Sequence, residues 1–247
     1  MTRAWRVIAA AVLLGTAGCG SAGKNGGDPV EQLDRADADY LAANYSLAVY
    51  RYETWLESNP ESPRKAWVLH QIGVCRAGMG DVNGALAAFE RALTSNADST
   101  LRLQILYRRA ILRNSREETA QALSDFQTID RASKEERERA IPTADFLKRF
   151  GVTSMRAGDW EGGQKRVARV VQDYPHSREA RELRPYLELK AFTVQIGNFR
   201  DRDRAFARVE ELKKAGHPVR AIRGEGEILL ILGEYRKYDG AIRERDR

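Results

Sequence analysis

The chain has 247 residues, a formal charge of +6 and a pI near 9.4, with 43% hydrophobic and 31% charged residues. That balance can bury a core and is too apolar for a disordered chain, while 20 Gly and 7 Pro exclude collagen-like and low-complexity readings. Two cysteines are too few for a disulfide framework or a Cys-rich metal fold, and His70, His176 and His217 show no ligand spacing. A modest basic excess suits nucleic acid, anionic lipid or an acidic polymer equally, so charge alone selects no partner.

Residues 1–18 read as an export signal. Arg3 and Arg6 precede the apolar run at 7–14, and the small residues at 15–18 follow it. The run is far shorter than the ~20 residues of a spanning helix, which argues against a transmembrane anchor. Thr16-Ala17-Gly18-Cys19 resembles the lipobox of bacterial lipoproteins, with Thr16 standing where that family has an aliphatic residue. The resemblance implies acylation of Cys19 and so a lipid anchor in the membrane. Gly20, in place of an aspartate, implies by analogy the periplasmic face of the outer membrane. An ordinary signal peptide with an incidental cysteine is the alternative. Residues 19–29 read as a flexible, Gly-rich tether. An acylated Cys19 leaves Cys75 without a partner for an intrachain disulfide.

Residues 30–190 carry a helical repeat. Gly73, Gly80, Ala85, Phe89 and Ala92 are spaced +7, +5, +4 and +3, and the same spacing gives Ala36, Ala43, Ala48, Tyr52 and Trp55. It recurs in Ala110, Glu117, Ala122, Phe126 and Ile129, and in Gly151, Gly158, Gly163, Val167 and Val170. Each set describes two helices whose backbones approach at small residues, with a large apolar residue filling the gap. Pro60 and Pro175 end two of the units. The pattern resembles the tetratricopeptide repeat (TPR), most closely over 66–97 and in the turns Gly80-Asp81 and Gly158-Asp159-Trp160. The resemblance implies an all-α superhelix of about four helix pairs. Unit starts lie 37, 37 and 41 residues apart, so the connections are longer than the ~34-residue consensus.

In the TPR family a concave groove receives protein partners. The resemblance places one row at Leu33, His70, Tyr107 and Lys148, and another at Tyr40, Ala77, Asn114 and Met155, with Trp67 nearby. Tyr40, Trp67, His70, Tyr107, Asn114 and Lys148 are thus the candidate partner groove. The alternative is that they only cover the superhelix. Cys75 reads as a buried structural thiol. Residues 133–139 (SKEERER) read as a solvated helix face with alternating charge.

At Phe192 the apolar period changes from 3.6 to 2. Residues 192–199 alternate Val194 and Ile196 against Thr193 and Gln195, as a strand does, and 201–216 form an amphipathic helix ending at Gly216. Residues 218–223 and 228–233 read as two further strands, and 239–247 as the start of a helix. This β-α-β-β-α order over 191–247, with VQIGNF echoed by LILGEY, resembles the SPOR domain, a small α+β fold that binds peptidoglycan. The resemblance implies helices on one sheet face and, on the other, glycan strands stripped of stem peptides. Gln195 and Asn198 would face the sugar, with Leu229 and Ile231 on the same face, while Gly197, Phe199, Gly233 and Tyr235 would shape the strand ends. The family's last strand is missing, so the domain reads as C-terminally incomplete, with an exposed sheet edge.

No Ser-His-Asp order, HExxH motif, catalytic carboxylate pair or phosphate-cradling glycine loop is present, and no cofactor or metal motif. The sequence reads as a non-catalytic envelope protein that binds peptidoglycan and a protein partner, and not nucleic acid. A protein-interaction scaffold with a passive tail is the alternative.

Overall fold

The computed structural model describes residues 28–224 and 226–246. Residues 1–18, read as an export signal, Cys19 and almost all of the segment read as a tether lie outside these residues. Pro29 already opens the first helix, with the Asp28 side chain accepting from the Val30 amide at 2.9 Å.

Four helix pairs follow one another: α1 (Pro29–Leu41) with α2 (Tyr45–Ser58), α3 (Lys65–Gly78) with α4 (Val82–Thr94), α5 (Ser99–Ser115) with α6 (Thr119–Asp130), and α8 (Thr143–Arg156) with α9 (Trp160–Asp173). The seven-residue α7 (Lys134–Ala140) stands between the third and fourth pairs and accounts for the longest spacing. It buries no side chain and is held by a capping box between Ser133 and Glu136, in agreement with a solvated charged segment.

The register follows from residue size. Ala36, Ala48, Tyr52 and Trp55, with their counterparts in each later unit, are all buried. A Cβ on Gly73 would lie 2.5 Å from the Phe89 ring, so the missing side chain is what admits that ring between α3 and α4. Gly151 does the same for α9: a Cβ there would meet the Gly163 carbonyl and Val167, each at 2.9 Å. The turn positions share one backbone conformation, with φ of 59° at Ala43, 79° at Gly80, 62° at Glu117 and 99° at Gly158. In two pairs an aspartate follows that turn and caps the next helix, Asp81 to the Gly84 amide and Asp159 to the Gly162 amide, both at 2.9 Å.

Gly73→Leu is therefore expected to force Phe89 out of its rotamer, costing roughly 1–3 kcal/mol or more. A lowered thermal midpoint checks this, and a midpoint unchanged within error would refute the register.

After α10 (Arg178–Leu183) and a 3₁₀ turn over Arg184–Tyr186, the chain forms β1 (Phe192–Phe199), α11 (Arg202–Lys214), β2 (Val219–Arg223), β3 (Ile228–Tyr235) and α12 (Tyr238–Arg245). The sheet order is β1-β3-β2 with both pairings antiparallel. Val209 of α11 packs with Val219 and Leu230, joined by Phe199, Leu212, Ala221, Ile228 and Leu232. Strict alternation along β1 does not hold. The register shifts between Gln195 and Gly197, so Ile196 leaves the core side and is 41% exposed. Glycine permits this local rearrangement: a Cβ on Gly197 would lie 2.6 Å from the Phe199 ring, and one on Gly233 2.5 Å from the Tyr235 hydroxyl. The echoed Gly-x-aromatic segments thus share one device, an aromatic ring folded over a glycine.

Candidate functional site

Cross-strand partners share a sheet face. Gln195 stands opposite Ile231 and Asn198 opposite Leu229, on the face away from α11. The bulge makes this possible, since it turns a three-residue separation along β1 into a common side. All four residues expected at the glycan surface therefore lie together.

That face is partly covered. Tyr186 Oη donates to Gln195 Oε1 at 3.1 Å, and Pro185 lies against Gly224. Leu189, whose carbonyl accepts from Gln164 Nε2 at 2.6 Å, lines a cavity with Leu229. Leu229 is 6% and Ile231 1% exposed, so both are packing residues and present no surface to a ligand, contrary to expectation. Leu229 lies beside the connection from the repeats, lining the cavity with Pro185, Tyr186 and Leu189. Gln195 and Asn198 remain exposed, and Asn198 Nδ2 donates to Glu227 Oε2 at 2.6 Å.

The sheet is also anchored at the start of β1. The Trp160 ring meets Phe192 edge-on at 5.0 Å, Phe192 meets Tyr238 at 5.5 Å, and Arg156 Cζ stands 4.6 Å above the Tyr238 ring. Between these contacts and Tyr186 lies a cavity of about 900 Å³. Its walls bring residues expected in two separate sites into one. Asn114 and Lys148, assigned from sequence to the partner groove, line it together with Gln195, Asn198 and Leu229.

The electrostatics of its helical wall centre on Asp145, which binds Arg149 at 2.5 Å, Lys148 at 3.4 Å and the Tyr107 hydroxyl. Burial works to raise the Asp145 carboxyl, but hydrogen bonds from Arg149 and Tyr107 and the charges of Arg149 and Lys148 outweigh it and hold it below its ordinary value. Burial, and then the Asp145 bond, push the Tyr107 phenol up. Lys148 also reaches Glu182 at 3.0 Å. Asn114 Nδ2 donates to Thr153 Oγ1 at 2.8 Å, which fixes α5 against α8 below the cavity floor.

The remaining partner-groove residues need correction. His70 is 6% and Tyr107 8% exposed, so neither is presented to a partner, and Leu33 in the same row is 1% exposed. Each stands three residues before the small residue of its unit, and positions three apart share a helix face. The row is thus the packing row. Tyr40 and Trp67 are half-buried, with Trp67 edge-on to Tyr52 at 6.2 Å. Sequence reasoning missed Gln164, Tyr186, Arg156 and Arg181 in the cavity wall. Trp160 was read as part of a repeat turn, which gave no sign that its ring would meet Phe192.

Among the described residues, no helix is long and apolar enough to cross a membrane, and no three His, Cys, Asp or Glu side chains are grouped to hold a metal ion.

Residues 188–247 match the SPOR domain family. Solved structures similar to the helical part include a tetratricopeptide repeat protein from Parabacteroides merdae. It is 19% identical with a TM-score of 0.55, over 65% of this chain and 59% of that one, so this chain spans well under two thirds of its length. MamA from Desulfovibrio magneticus RS-1 is 16% identical with a TM-score of 0.54, over 76% of this chain and 97% of that one. PilW, described as a type IV pilus biogenesis factor, is 15% identical with a TM-score of 0.52, over 63% and 66%. At these identities the likeness is one of fold. No curated protein matches the chain. The architecture is a TPR-like helical superhelix followed by a small α+β domain that matches the SPOR family.

Proposed function

We propose, from a TPR-like superhelix that ends in a SPOR domain, that this protein is a non-catalytic envelope lipoprotein that holds peptidoglycan glycan strands and recruits a protein partner. The SPOR family implies peptidoglycan binding and a repeat superhelix implies protein interaction. The observation that carries the glycan reading is the pair Gln195 and Asn198, exposed on one sheet face and lining the same cavity. Their amides can both donate to and accept from sugar hydroxyls, beside apolar area that excludes water. Of the sequence-derived groove, Tyr40, Trp67, Asn114 and Lys148 keep partial exposure and are the proposed partner contacts.

Acylation at Cys19 would tether this assembly to the outer membrane, since two or three buried acyl chains anchor stably where one does not. Labelling with a clickable fatty acid should mark the protein, and Cys19→Ala should abolish the mark. Label that survives this change refutes the anchor.

Full-length protein should co-sediment with purified sacculi, more strongly after an amidase has stripped the stem peptides. Gln195→Ala should weaken that binding by about 0.5–1.5 kcal/mol. A second reading, an interaction scaffold with a passive tail, is favoured by the burial of Leu229 and Ile231 and by the Tyr186 bond to Gln195. A folded protein that fails to sediment with amidase-treated sacculi would establish the scaffold instead.

A further inference from the structure

The wall of the cavity that belongs to the repeats carries charge that the fold leaves uncompensated. Lys148 and Arg149 are paired with Asp145, and Lys148 also with Glu182, whereas Arg156 and Arg181 make no ion pair among the described residues. Glu182 of the same wall is engaged by Lys148 and Arg178, while Glu227, just before β3, accepts only from the neutral Asn198 amide. Arg156 stands over the Tyr238 ring and makes no ion pair among the described residues, which leaves its guanidinium N–H donors for another acceptor. The cavity therefore combines amides (Gln195, Asn198, Gln164), an aromatic ring (Trp160) and two guanidiniums lacking a carboxylate.

We propose that the last repeat supplies half of the glycan site. Arg156 and Arg181 take the carboxylate of a muramic-acid-type sugar whose stem peptide has been removed, while Gln195 and Asn198 take hydroxyl and acetamido groups of the same strand. This rests on the glycan-binding reading of the sheet. The chemistry selects the stripped strand. Hydrolysis of the amide that joins the stem peptide to the sugar's lactyl ether leaves a free carboxylate, which a guanidinium binds through charge-assisted hydrogen bonds. An intact stem puts a neutral amide there instead, which removes the charge that the guanidiniums bind. Selectivity for stripped glycan thus comes from the repeat side of the cleft, and the sheet reads only the sugar backbone.

The test uses the full chain and two labelled tetrasaccharides of equal length: a muramyl glycan fragment without stem peptides, and a chitin oligomer, which lacks the lactyl carboxylate. The wild type should bind the muramyl fragment more tightly than the chitin oligomer. Arg181→Gln and Arg156→Gln should each lower muramyl affinity roughly tenfold with chitin affinity unchanged, and Arg181→Gln, which breaks no ion pair or ring contact, should also leave the thermal midpoint unchanged. Gln195→Ala should weaken both ligands. If both arginine variants bind the muramyl fragment like the wild type, or lose both sugars alike, the carboxylate site is overturned, and the Gln195 result alone decides the glycan reading. Wild-type protein that binds neither oligomer sinks the glycan reading and this proposal with it.

Discussion

Asp125→Ala is expected to destabilise the protein by about 3–5 kcal/mol, as much as losing a large core side chain. Asp125 sits on α6 with its side chain 4% exposed. Arg109 of α5 holds it in a fork, Nη2 to Oδ1 at 2.6 Å and Nε to Oδ2 at 3.0 Å, and Arg113 adds Nη1 to Oδ2 at 2.9 Å. Both arginine side chains are only 15% exposed. Removing the carboxylate strands two nearly buried guanidiniums, with only Glu90 at 3.4 Å left to Arg113. Asp125→Asn, which keeps the shape and one acceptor, should lose less. An apolar replacement of Asp125, Arg109 and Arg113 together should recover much of the loss, because the desolvation cost disappears with the pair. Equilibrium chemical denaturation gives the numbers, and a loss below about 1 kcal/mol for Asp125→Ala would show the network to be solvated in practice. The network lies in the third pair, whose α5 also carries Asn114 at the cavity, so its loss should loosen the cleft as well as the repeat.

The repeats were legible because their information is local. A small residue every 37 to 41 positions, with an aromatic or branched residue sixteen further on, fixes which helix faces meet. The same logic misplaced the groove. His70 and Tyr107 precede Gly73 and Ala110 by three, which puts them on the face that packs rather than the one that greets a partner. In the C-terminal domain, the order of elements along the chain was legible from the change of period, but the bulge at Ile196 was not, since strict alternation was expected along β1. The cleft was least visible of all. It exists because Trp160, Tyr186 and Arg156 from one part of the chain meet Phe192, Gln195 and Tyr238 from another. Single side chains at a docking surface leave no periodic signal. Leu229 and Ile231 did leave one, as apolar residues on the face that carries Gln195 and Asn198, and their burial is its explanation.

Stability should also fall as the pH drops from about 6.5 to 4, and His70 supplies the cause. Its ring is 6% exposed, tilted against Phe89 with centroids 5.9 Å apart, and neither nitrogen has a hydrogen-bond partner. Burial, reinforced by the nearby charge of Arg108, pushes the imidazole down to about 4. In the unfolded chain the same ring titrates near 6.5. Between those values the unfolded state binds a proton that the folded state refuses, so acidification favours unfolding. Above pH 6.5 both states are neutral and the effect vanishes. Below 4 both are charged and it reaches its limit, up to about 3 kcal/mol. His70→Phe preserves an aromatic ring against Phe89 and removes the titration, so its stability should stay flatter across that window and exceed the wild type at pH 4.5. Denaturation curves at pH 7, 5.5 and 4.5 for both proteins separate this residue from carboxylates such as Asp145, which are common to both. Parallel pH profiles for the two proteins would mean that the ring finds a partner, or water, when it charges. A helical core that tolerates an unpaired imidazole only while it is neutral ties the integrity of the second repeat to the acidity of its compartment.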